Sequence, residues 1–381
     1  MTRLLTGCLV AALTLQPPAP SDVPFRTIDV QRDWGVVYAV RVADVNADGR
    51  LDIVAINPTQ LAWFENPSWQ RHVVVDGIAP RDHVTIAARD VDGDGRVEIA
   101  LGAGWNPRNT TSGGELFLAT RRDPAGRDPW ALIPIGAEPT LHRIRWATLD
   151  GRARLIVTAL HGRGTAPPAW DGVGARVFAL TPPAGTGATT WTSEAIDDTR
   201  HILHNFLVAD FDSNGGDELV TASREGLTLL TRGHGGAWAR RLLVEGVPGE
   251  VALGRVGGRR VFGTIEPWHG TSVVTYVEGS DRWARTAVDD VIAGGHAVAW
   301  GDFDGDGDDE LVAGWRDAGY GLARYRIDGD GHSRDRQVID RGVAVEDLVV
   351  ADLNADGRPD IVAGGRSTGN IRLFINDRSG R

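Results

Sequence analysis

Short apolar runs alternate with polar turns along almost the whole chain, and the runs show no helical period. Residues 206–209 and 219–221, for example, are apolar or β-branched and flank a turn rich in Asp, Asn and Gly. Such runs bounded by turn residues are typical of strands joined by tight connections. The pattern therefore predicts an all-β protein.

The turns between these runs repeat along the chain. Five ungapped segments share the form D-x-[DN]-x-[DN]-G-x-x-[DE] followed by an apolar run, and they begin at Val42, Ala88, Val208, Trp300 and Val350. Degenerate copies fill the two gaps and begin at Trp146 and Leu253. A repeat at this spacing marks an array of equivalent structural units, so seven units are predicted.

Each unit predicts four strands. Two strands flank the turn, and a third is expected at residues 61–65, 115–119, 175–180, 227–231, 272–277, 321–327 and 370–375. In five units a Trp stands at the start of the predicted fourth strand: Trp69, Trp130, Trp191, Trp238 and Trp283. Seven four-stranded units predict a seven-bladed β-propeller, in which each blade buries its faces against its neighbours.

The two ends of the chain are expected to complete one blade. The seventh unit stops after its third strand, and residues 25–30 ahead of the first unit resemble an isolated fourth strand. Pairing these segments removes two exposed sheet edges. We therefore expect one propeller domain over residues 24–377, with the N-terminal strand closing the last blade.

Composition and the first residues indicate an exported protein. An apolar run over residues 4–15 and a Pro-rich break predict a signal peptide over residues 1–20, and hence a secreted or periplasmic location. The run is too short to span a bilayer. Cys8 is the only cysteine, which leaves lipid anchoring open but excludes disulfides. The net charge of −11 argues against nucleic acid as a partner.

The acidic turns offer oxygen ligands for a hard cation such as calcium or magnesium. Carboxylate or amide oxygens stand at positions 1, 3, 5 and 9. The position that carries the last glutamate of an EF-hand is apolar or Thr here, and strands rather than helices flank the loops. Alternatively, some loops are plain turns satisfied by their own backbone amides. The candidate ligands are Asp44, Asn46, Asp48 and Asp52; Asp90, Asp92, Asp94 and Glu98; Asp210, Asp212, Asn214 and Glu218; Asp302, Asp304, Asp306 and Glu310; and Asp352, Asn354, Asp356 and Asp360.

Polar residues recur where the inner strands begin, at the face opposite these turns. The position six residues before each turn holds Tyr38, Val84 (next to His83), His142, His204, Glu250, His296 and Glu346. The second strands end on the same face at Asn57, Trp105, His161, Arg224, His269, Arg316 and Arg366. Several imidazoles around one channel mouth favour a zinc or other transition-metal site. A wet channel lined by solvated histidines is the alternative.

Several strings around these residues resemble the propeller of aldos-2-ulose dehydratase/isomerase and its relatives. They include PTLHRIRW, ILHNFLVADFD, TIEPWHG and GGHAVAWGDFDGDGDDE. The resemblance implies a zinc site at a sugar-binding cleft, where a ketosugar such as 1,5-anhydrofructose or a 2-ketoaldose loses water. On this basis His142, His204 and His296 are the expected zinc ligands, since they share the channel position.

The remaining candidates receive roles in the same reaction. Acid–base or further ligand roles are expected of His83, His161, His269, Glu250 and Glu346. Sugar hydroxyls or developing charge would be held by Arg143, Arg145, Arg224, Arg316 and Arg366, with Trp105 and Trp268 stacking on the ring.

Two functional hypotheses from different classes follow. The first is a metal-dependent carbohydrate lyase, a dehydratase acting on a ketosugar. The second is a non-catalytic extracellular propeller that calcium stabilises and that binds glycan or a protein partner. A polysaccharide lyase with calcium at the cleft is a weaker third possibility, because the channel mouth offers more imidazole than carboxylate.

Overall fold

The structure is a computed structural model that describes residues 22–121, 129–183, 190–233 and 235–378. The predicted signal peptide over residues 1–20, including Cys8, lies outside the described residues. Within those ranges, no helix is long and apolar enough to cross a membrane.

The described strands form seven sheets of four strands each. The first strand in the described residues is β1 (Phe25–Gln31). Blade one contains β2 (Ala39–Ala43), β3 (Asp52–Ile56), β4 (Gln60–Glu65) and β5 (Gln70–Asp76). Blade two contains β6 (Thr85–Arg89), β7 (Glu98–Ala103), β8 (Glu115–Thr120) and β9 (Ala131–Ala137). Blade three contains β10 (Leu141–Leu149), β11 (Arg152–Ala159), β12 (Ala175–Thr181) and β13 (Thr192–Arg200).

The second half of the ring repeats this arrangement. Blade four contains β14 (Asn205–Ala209), β15 (Glu218–Ser223), β16 (Gly226–Arg232) and β17 (Trp238–Val244). Blade five contains β18 (Glu250–Val256), β19 (Arg259–Glu266), β20 (Ser272–Glu278) and β21 (Trp283–Asp289). Blade six contains β22 (Gly295–Gly301), β23 (Glu310–Trp315), β24 (Gly321–Ile327) and β25 (Ser333–Asp340). Blade seven contains β26 (Val345–Ala351), β27 (Asp360–Gly365) and β28 (Ile371–Asn376), and β1 completes it.

The first strand of the chain closes the ring, as the sequence predicts. β1 pairs antiparallel with β28, so that Phe25 lies opposite Asn376 and Ile28 lies opposite Leu373. The sheet order in blade seven is β1-β28-β27-β26. The fold is therefore a seven-bladed β-propeller whose N-terminal strand supplies the last edge.

The hydrophobic core is divided among the interfaces between blades. Seven apolar clusters are present in the described residues, and each draws its members from two adjacent blades. Degenerate blade five accommodates a bulky neighbour: a Cβ on Gly254 would lie 2.5 Å from the Trp300 ring of blade six. Because face-to-face burial recurs at every interface, the apolar runs of the repeat are sufficient to hold the ring together.

Each inner strand places a turn at one end and a candidate site residue at the other. In blade four, His204 immediately precedes β14 and Asp210 immediately follows it. The acidic turn then leads into β15, which runs back antiparallel. The histidines and the acidic turns consequently lie at opposite ends of the central channel.

Candidate functional site

The mouth of the channel contains a cavity of about 330 Å³. It lies at the ends of the inner strands where the sequence places the histidines. Most of the predicted site residues line it, together with side chains from the surrounding loops: Tyr38, Trp105, Arg108, His142, Arg143, His161, Trp170, His204, Trp268, His269, His296, Arg316, Glu346 and Arg366.

Three histidines converge in this cavity. The ring nitrogens that His204, His269 and His296 could offer to a metal ion all lie within 4.8 Å of one another. Nε2 of His204 is 2.7 Å from Nε2 of His269, and the His269 and His296 ring centroids are 4.7 Å apart. These imidazoles come from blades four, five and six, so they approach one point from adjacent sides.

Backbone carbonyls of neighbouring blades orient two of these rings. Nδ1 of His204 donates to the Gly249 carbonyl at 2.8 Å, and Nδ1 of His296 donates to the Glu346 carbonyl at 2.5 Å. A proton on Nδ1 leaves the Nε2 lone pair free. Metal-ligating histidines commonly have this outer hydrogen bond, which fixes the tautomer and the ring orientation.

His142 occupies the same channel position but lies outside this group of three. Its Nδ1 donates to the His204 carbonyl at 2.7 Å, and its Nε2 accepts a hydrogen bond from the Arg143 guanidinium at 3.1 Å. His142 is not one of the three histidines whose ring nitrogens lie close enough to share an ion, so the sequence-based choice of His142 as third ligand needs correction. His269, expected to be a further ligand or an acid or base, completes the group of three instead.

His269 reaches the cavity from a tight loop after β19. Its φ is +54°, in the left-handed region. At the next residue, a Cβ on Gly270 would lie 2.3 Å from the Pro267 carbonyl oxygen, so only glycine fits there. A non-glycine residue in the left-handed region is uncommon and often marks a functional position.

Burial keeps the imidazoles of the cavity uncharged. It lowers the pKa values of His204, His269 and His296 below the ordinary range, and the nearby guanidinium groups of Arg143 and Arg316 lower them further. Neutral imidazole is the form that binds metal ions. The three rings are thus in the protonation state that a metal site requires.

Glu346 is clamped between two arginines at the cavity wall. Arg316 donates to one carboxylate oxygen at 2.6 Å, and Arg366 donates to the other at 2.9 Å. Arg316 also donates to Nδ1 of His269, at 3.3 Å. The carboxylate therefore fixes the two guanidinium groups that border the histidines.

Two polar atoms at the aromatic side of the cavity have no partner. Nδ1 of His161 and Nε1 of Trp268 are buried without a hydrogen bond in the described part of the chain. The His161 ring stacks on Trp170 with centroids 3.7 Å apart, and burial lowers the pKa of His161 to about 4. Unpartnered buried polar atoms in a cavity mark positions where a bound molecule can complete the hydrogen bonding.

Two acid–base candidates do not line the cavity. His83 is fully buried beside the β6 strand, and neither of its ring nitrogens has a hydrogen-bond partner among the described residues. Glu250 lies behind His204, with Oε1 2.9 Å from His204 Nδ1, and burial raises the pKa of Glu250 to about 7. The direct acid–base roles expected of both residues are therefore corrected: Glu250 instead supports His204 electrostatically.

Two of the expected sugar-binding arginines are also placed elsewhere. Arg224 pairs with Asp171 at 2.9 Å and donates to the Ala169 carbonyl at 2.6 Å, outside the cavity. Arg145 lines a different cavity at the other end of the inner strands. Neither side chain lines the cavity that contains the three histidines.

Sequence reasoning missed Trp170 and Arg108 and named Tyr38 only as a channel residue. Trp170 and Arg108 lie in loops that follow second strands, in which no repeat pattern fixes the path of the chain. Tyr38 stands at the channel position of blade one, where the repeat register alone identifies it.

The acidic turns share one pattern of hydrogen bonds, in which their side-chain carboxylates accept backbone N–H groups of the same turn. In blade one, Asp44 accepts the amide N–H groups of Asp48 and Gly49 at 3.0 and 2.8 Å. In all five intact turns, the buried carboxylate at position 9 accepts the N–H of position 2. Carboxylates of blades two, four and six come close enough to share an ion. Ion binding at these turns stays a prediction.

Comparisons with known protein families match the segments that contain the repeated acidic turns. The FG-GAP-like repeat family matches residues 44–101 and 302–363, which contain the acidic turns of blades one, two, six and seven. The matched segments are therefore similar to FG-GAP-like repeats. The family described as aldos-2-ulose dehydratase, β-propeller domain, matches residues 117–279.

One curated relative of this chain is aldos-2-ulose dehydratase of Phanerodontia chrysosporium. It is 27% identical over 222 residues, which cover 49% of this chain and 24% of that protein. The chain thus spans about a quarter of the length of the curated relative it matches. Residues 117–279 resemble the β-propeller domain of aldos-2-ulose dehydratase.

Solved structures share the fold at low sequence identity. BBS1N, in complex with ARL6DN, is 13% identical with a TM-score of 0.57, covering 93% of this chain and 98% of that one. A lectin of Agrocybe aegerita that recognises non-reducing terminal N-acetylglucosamine is 14% identical with a TM-score of 0.52, covering 80% and 81%. At this identity the likeness concerns the propeller alone.

Proposed function

We propose that this propeller is a metal-dependent carbohydrate lyase that removes water from a ketosugar, such as 1,5-anhydrofructose or a 2-ketoaldose, in the cavity at the channel mouth. The resemblance to the propeller of a sugar dehydratase supports a carbohydrate-related role. The single observation that carries the proposal is the convergence of His204, His269 and His296 on one point.

The three imidazoles fit a transition-metal ion of the zinc type. Their nitrogens are close together and uncharged, and the Nδ1 hydrogen bonds of His204 and His296 direct the free lone pairs inward. Three protein ligands with an open position are typical of catalytic zinc. Bound there, the ion would act as a Lewis acid toward the sugar carbonyl.

His269 must change its tautomer to join such a site. It accepts a hydrogen bond at Nδ1 from Arg316, so its proton lies on Nε2 and faces His204. The Arg316 contact to His269 is long, at 3.3 Å, and Arg316 retains a shorter bond of 2.6 Å to Glu346. Moving the His269 proton to Nδ1 therefore breaks the long Arg316 hydrogen bond and the 2.7 Å hydrogen bond between His269 and His204, which bonds to the ion would replace.

His161 is the best-placed proton acceptor. It lines the cavity, its Nδ1 has no partner, and with a pKa of about 4 it is neutral near pH 7. Glu346 is less suited to this role, because both of its oxygens already accept hydrogen bonds from arginines. Positioned bases of this kind contribute about 10²–10⁴-fold to rate.

Arginines and aromatic rings supply the remaining interactions. As His161 takes the C–H proton, negative charge develops on the sugar oxygens, and the guanidinium groups of Arg143 and Arg316 border that space. The protonated His161 would then give this proton to the neighbouring hydroxyl, which leaves as water while the carbon–carbon double bond forms. The indole N–H of Trp268 can donate to a sugar hydroxyl. One face of Trp105 stacks on His142 with ring centroids 5.0 Å apart, and its other face would stack on the sugar.

Turnover by the zinc-loaded protein tests the proposal. Incubation with 1,5-anhydrofructose should produce the ultraviolet absorbance of an enone. His161→Gln should lower kcat by about 10²-fold or more while sugar and zinc still bind. His83→Gln serves as the control, since His83 lies outside the cavity. If the zinc-loaded wild type binds the sugar without consuming it, the propeller is a carbohydrate-binding module instead.

A further inference from the structure

A second cavity lies at the opposite end of the channel, on the side of the acidic turns. Its volume is about 540 Å³, and its walls include residues of β2, β6, β10 and β26. Three arginines from consecutive blades line it: Arg41 of blade one, Arg89 of blade two and Arg145 of blade three. Arg41 and Arg145 occupy the same position in their repeats, three residues before the turn begins.

Among the described residues, only Arg41 of these three arginines forms an ion pair with an acidic side chain. Arg41 pairs with Asp347 at 2.6 Å. Arg89 donates to the hydroxyl of Thr148 at 3.1 Å, which supplies no negative charge. Arg145 rests on the ring of Phe206, 4.8 Å from the centroid, and its Nη1 is buried without a partner in the described ranges.

The acidic residue in the wall of this cavity is already engaged. Asp217 accepts the backbone N–H of Thr148 at 2.6 Å, and it forms no ion pair with Arg89 or Arg145 at 4.0 Å or less. Burial and the neighbouring Arg41 lower the pKa of Arg145 to about 9, so its positive charge is poorly solvated. Asp347 and Glu250 partly offset the charge of Arg145, but neither Arg89 nor Arg145 forms an ion pair within the described residues. In a chain of net charge −11, two such guanidinium groups at one cavity favour a bound anion.

We propose that Arg89 and Arg145 bind a small oxyanion, a phosphate or sulfate group, in this cavity, with Arg41 at its edge. A guanidinium group presents a planar fork of donors that matches the oxygens of such a group. The bound anion would give Nη1 of Arg145 its missing acceptor and offset the remaining positive charge. The anion site is separate from the histidine cavity, so it does not depend on the proposed sugar chemistry.

Calorimetric titration of the folded protein with inorganic phosphate tests this site. Sodium chloride at matched ionic strength controls for general screening, and titration with a sugar phosphate tests whether the anion arrives free or as an ester. Arg145→Met keeps an apolar contact with Phe206 but removes the positive charge. Arg89→Met removes the positive charge of the second arginine. Arg282→Met, at an exposed loop position of blade five, is the matched control.

Saturable binding of phosphate or of the sugar phosphate is expected in the wild type and in Arg282→Met. Affinity should fall at least about tenfold in Arg145→Met and in Arg89→Met, because each loses a charge-assisted hydrogen bond. If Arg145→Met does not fold, as judged by circular dichroism, Arg145→Lys replaces it and should also weaken binding, since an ammonium lacks the fork. Binding no stronger than that of chloride, or equal affinity in wild type and both cavity variants, would overturn the proposal.

Discussion

His142 donates its Nδ1–H to the backbone carbonyl of His204, 2.7 Å away. A side chain at the channel position of blade three is thereby bonded to the equivalent position of blade four. His296 repeats the relationship with Glu346 of blade seven. The channel histidines therefore link neighbouring blades, and they contribute to stability as well as lining the cavity.

Replacement of His142 should weaken this link. His142→Leu keeps most of the volume but leaves the buried His204 carbonyl without its donor, so the free energy of unfolding should fall by about 1–3 kcal/mol. His161→Leu is the control, because Nδ1 of His161 has no partner to lose. Denaturant unfolding of both variants measures the difference. Equal stability of the two variants would show that the His142 bond contributes nothing.

Substitutions in an acidic turn should distinguish a carboxylate that stabilises the fold from a carboxylate that binds an ion. Asp360 accepts the N–H groups of Leu353 and Asn376 at 2.9 and 2.8 Å in a buried position, whereas Asp356 is exposed. With chelator present, Asp360→Ala should lower the free energy of unfolding by about 2–4 kcal/mol and Asp356→Ala by less than about 1 kcal/mol.

Added calcium should change the difference in stability between the wild type and Asp356→Ala. Added ion should raise the melting temperature of the wild type, because a ligand that binds only the folded state stabilises it. Asp356→Ala should lose much of that gain. If wild type and Asp356→Ala respond identically to calcium and to chelator, the turn of blade seven is held by its backbone hydrogen bonds alone.

Stability should fall in mild acid partly because of His83. Burial holds the pKa of His83 below its ordinary value of 6.5 in the folded protein. Below about pH 6.5 the unfolded chain takes up a proton that the folded chain does not, so the free energy of unfolding decreases as the pH falls. Above that pH the contribution vanishes.

Unfolding at about pH 7.5 and at about pH 5.5 isolates this contribution. Wild type should lose more stability between the two conditions than His83→Leu, since the variant lacks the titrating group. Comparing the two differences removes the effect of the substitution on packing. The same loss in both proteins would mean that His83 is protonated equally well in the folded state.

The blades were predictable because their signal is repeated and local. The third strand of blade six, for example, is predicted over residues 321–327 and observed as Gly321–Ile327. The pairing of the first strand with the last was also predictable, because four strands per blade leave one strand missing at one end and one spare at the other.

The detail of the cavity depends on contacts that no local pattern contains. His142 and His204 share one repeat position, yet the Arg143 guanidinium occupies the free nitrogen of His142 alone. Arg145 was expected near the sugar, but it lies three residues beyond His142 along β10, or about 10 Å at the usual rise of a strand. That distance places it at the other end of the channel.

The metal content of three purified proteins tests the central claim most directly. After loading with zinc and removal of the excess, the wild type and His142→Ala should each retain about one ion per chain beyond any held by the acidic turns, whereas His269→Ala should retain none, because a catalytic-type site needs three protein ligands. A wild type that retains no zinc, or a zinc content lost in His142→Ala and kept in His269→Ala, would contradict the assignment of His204, His269 and His296.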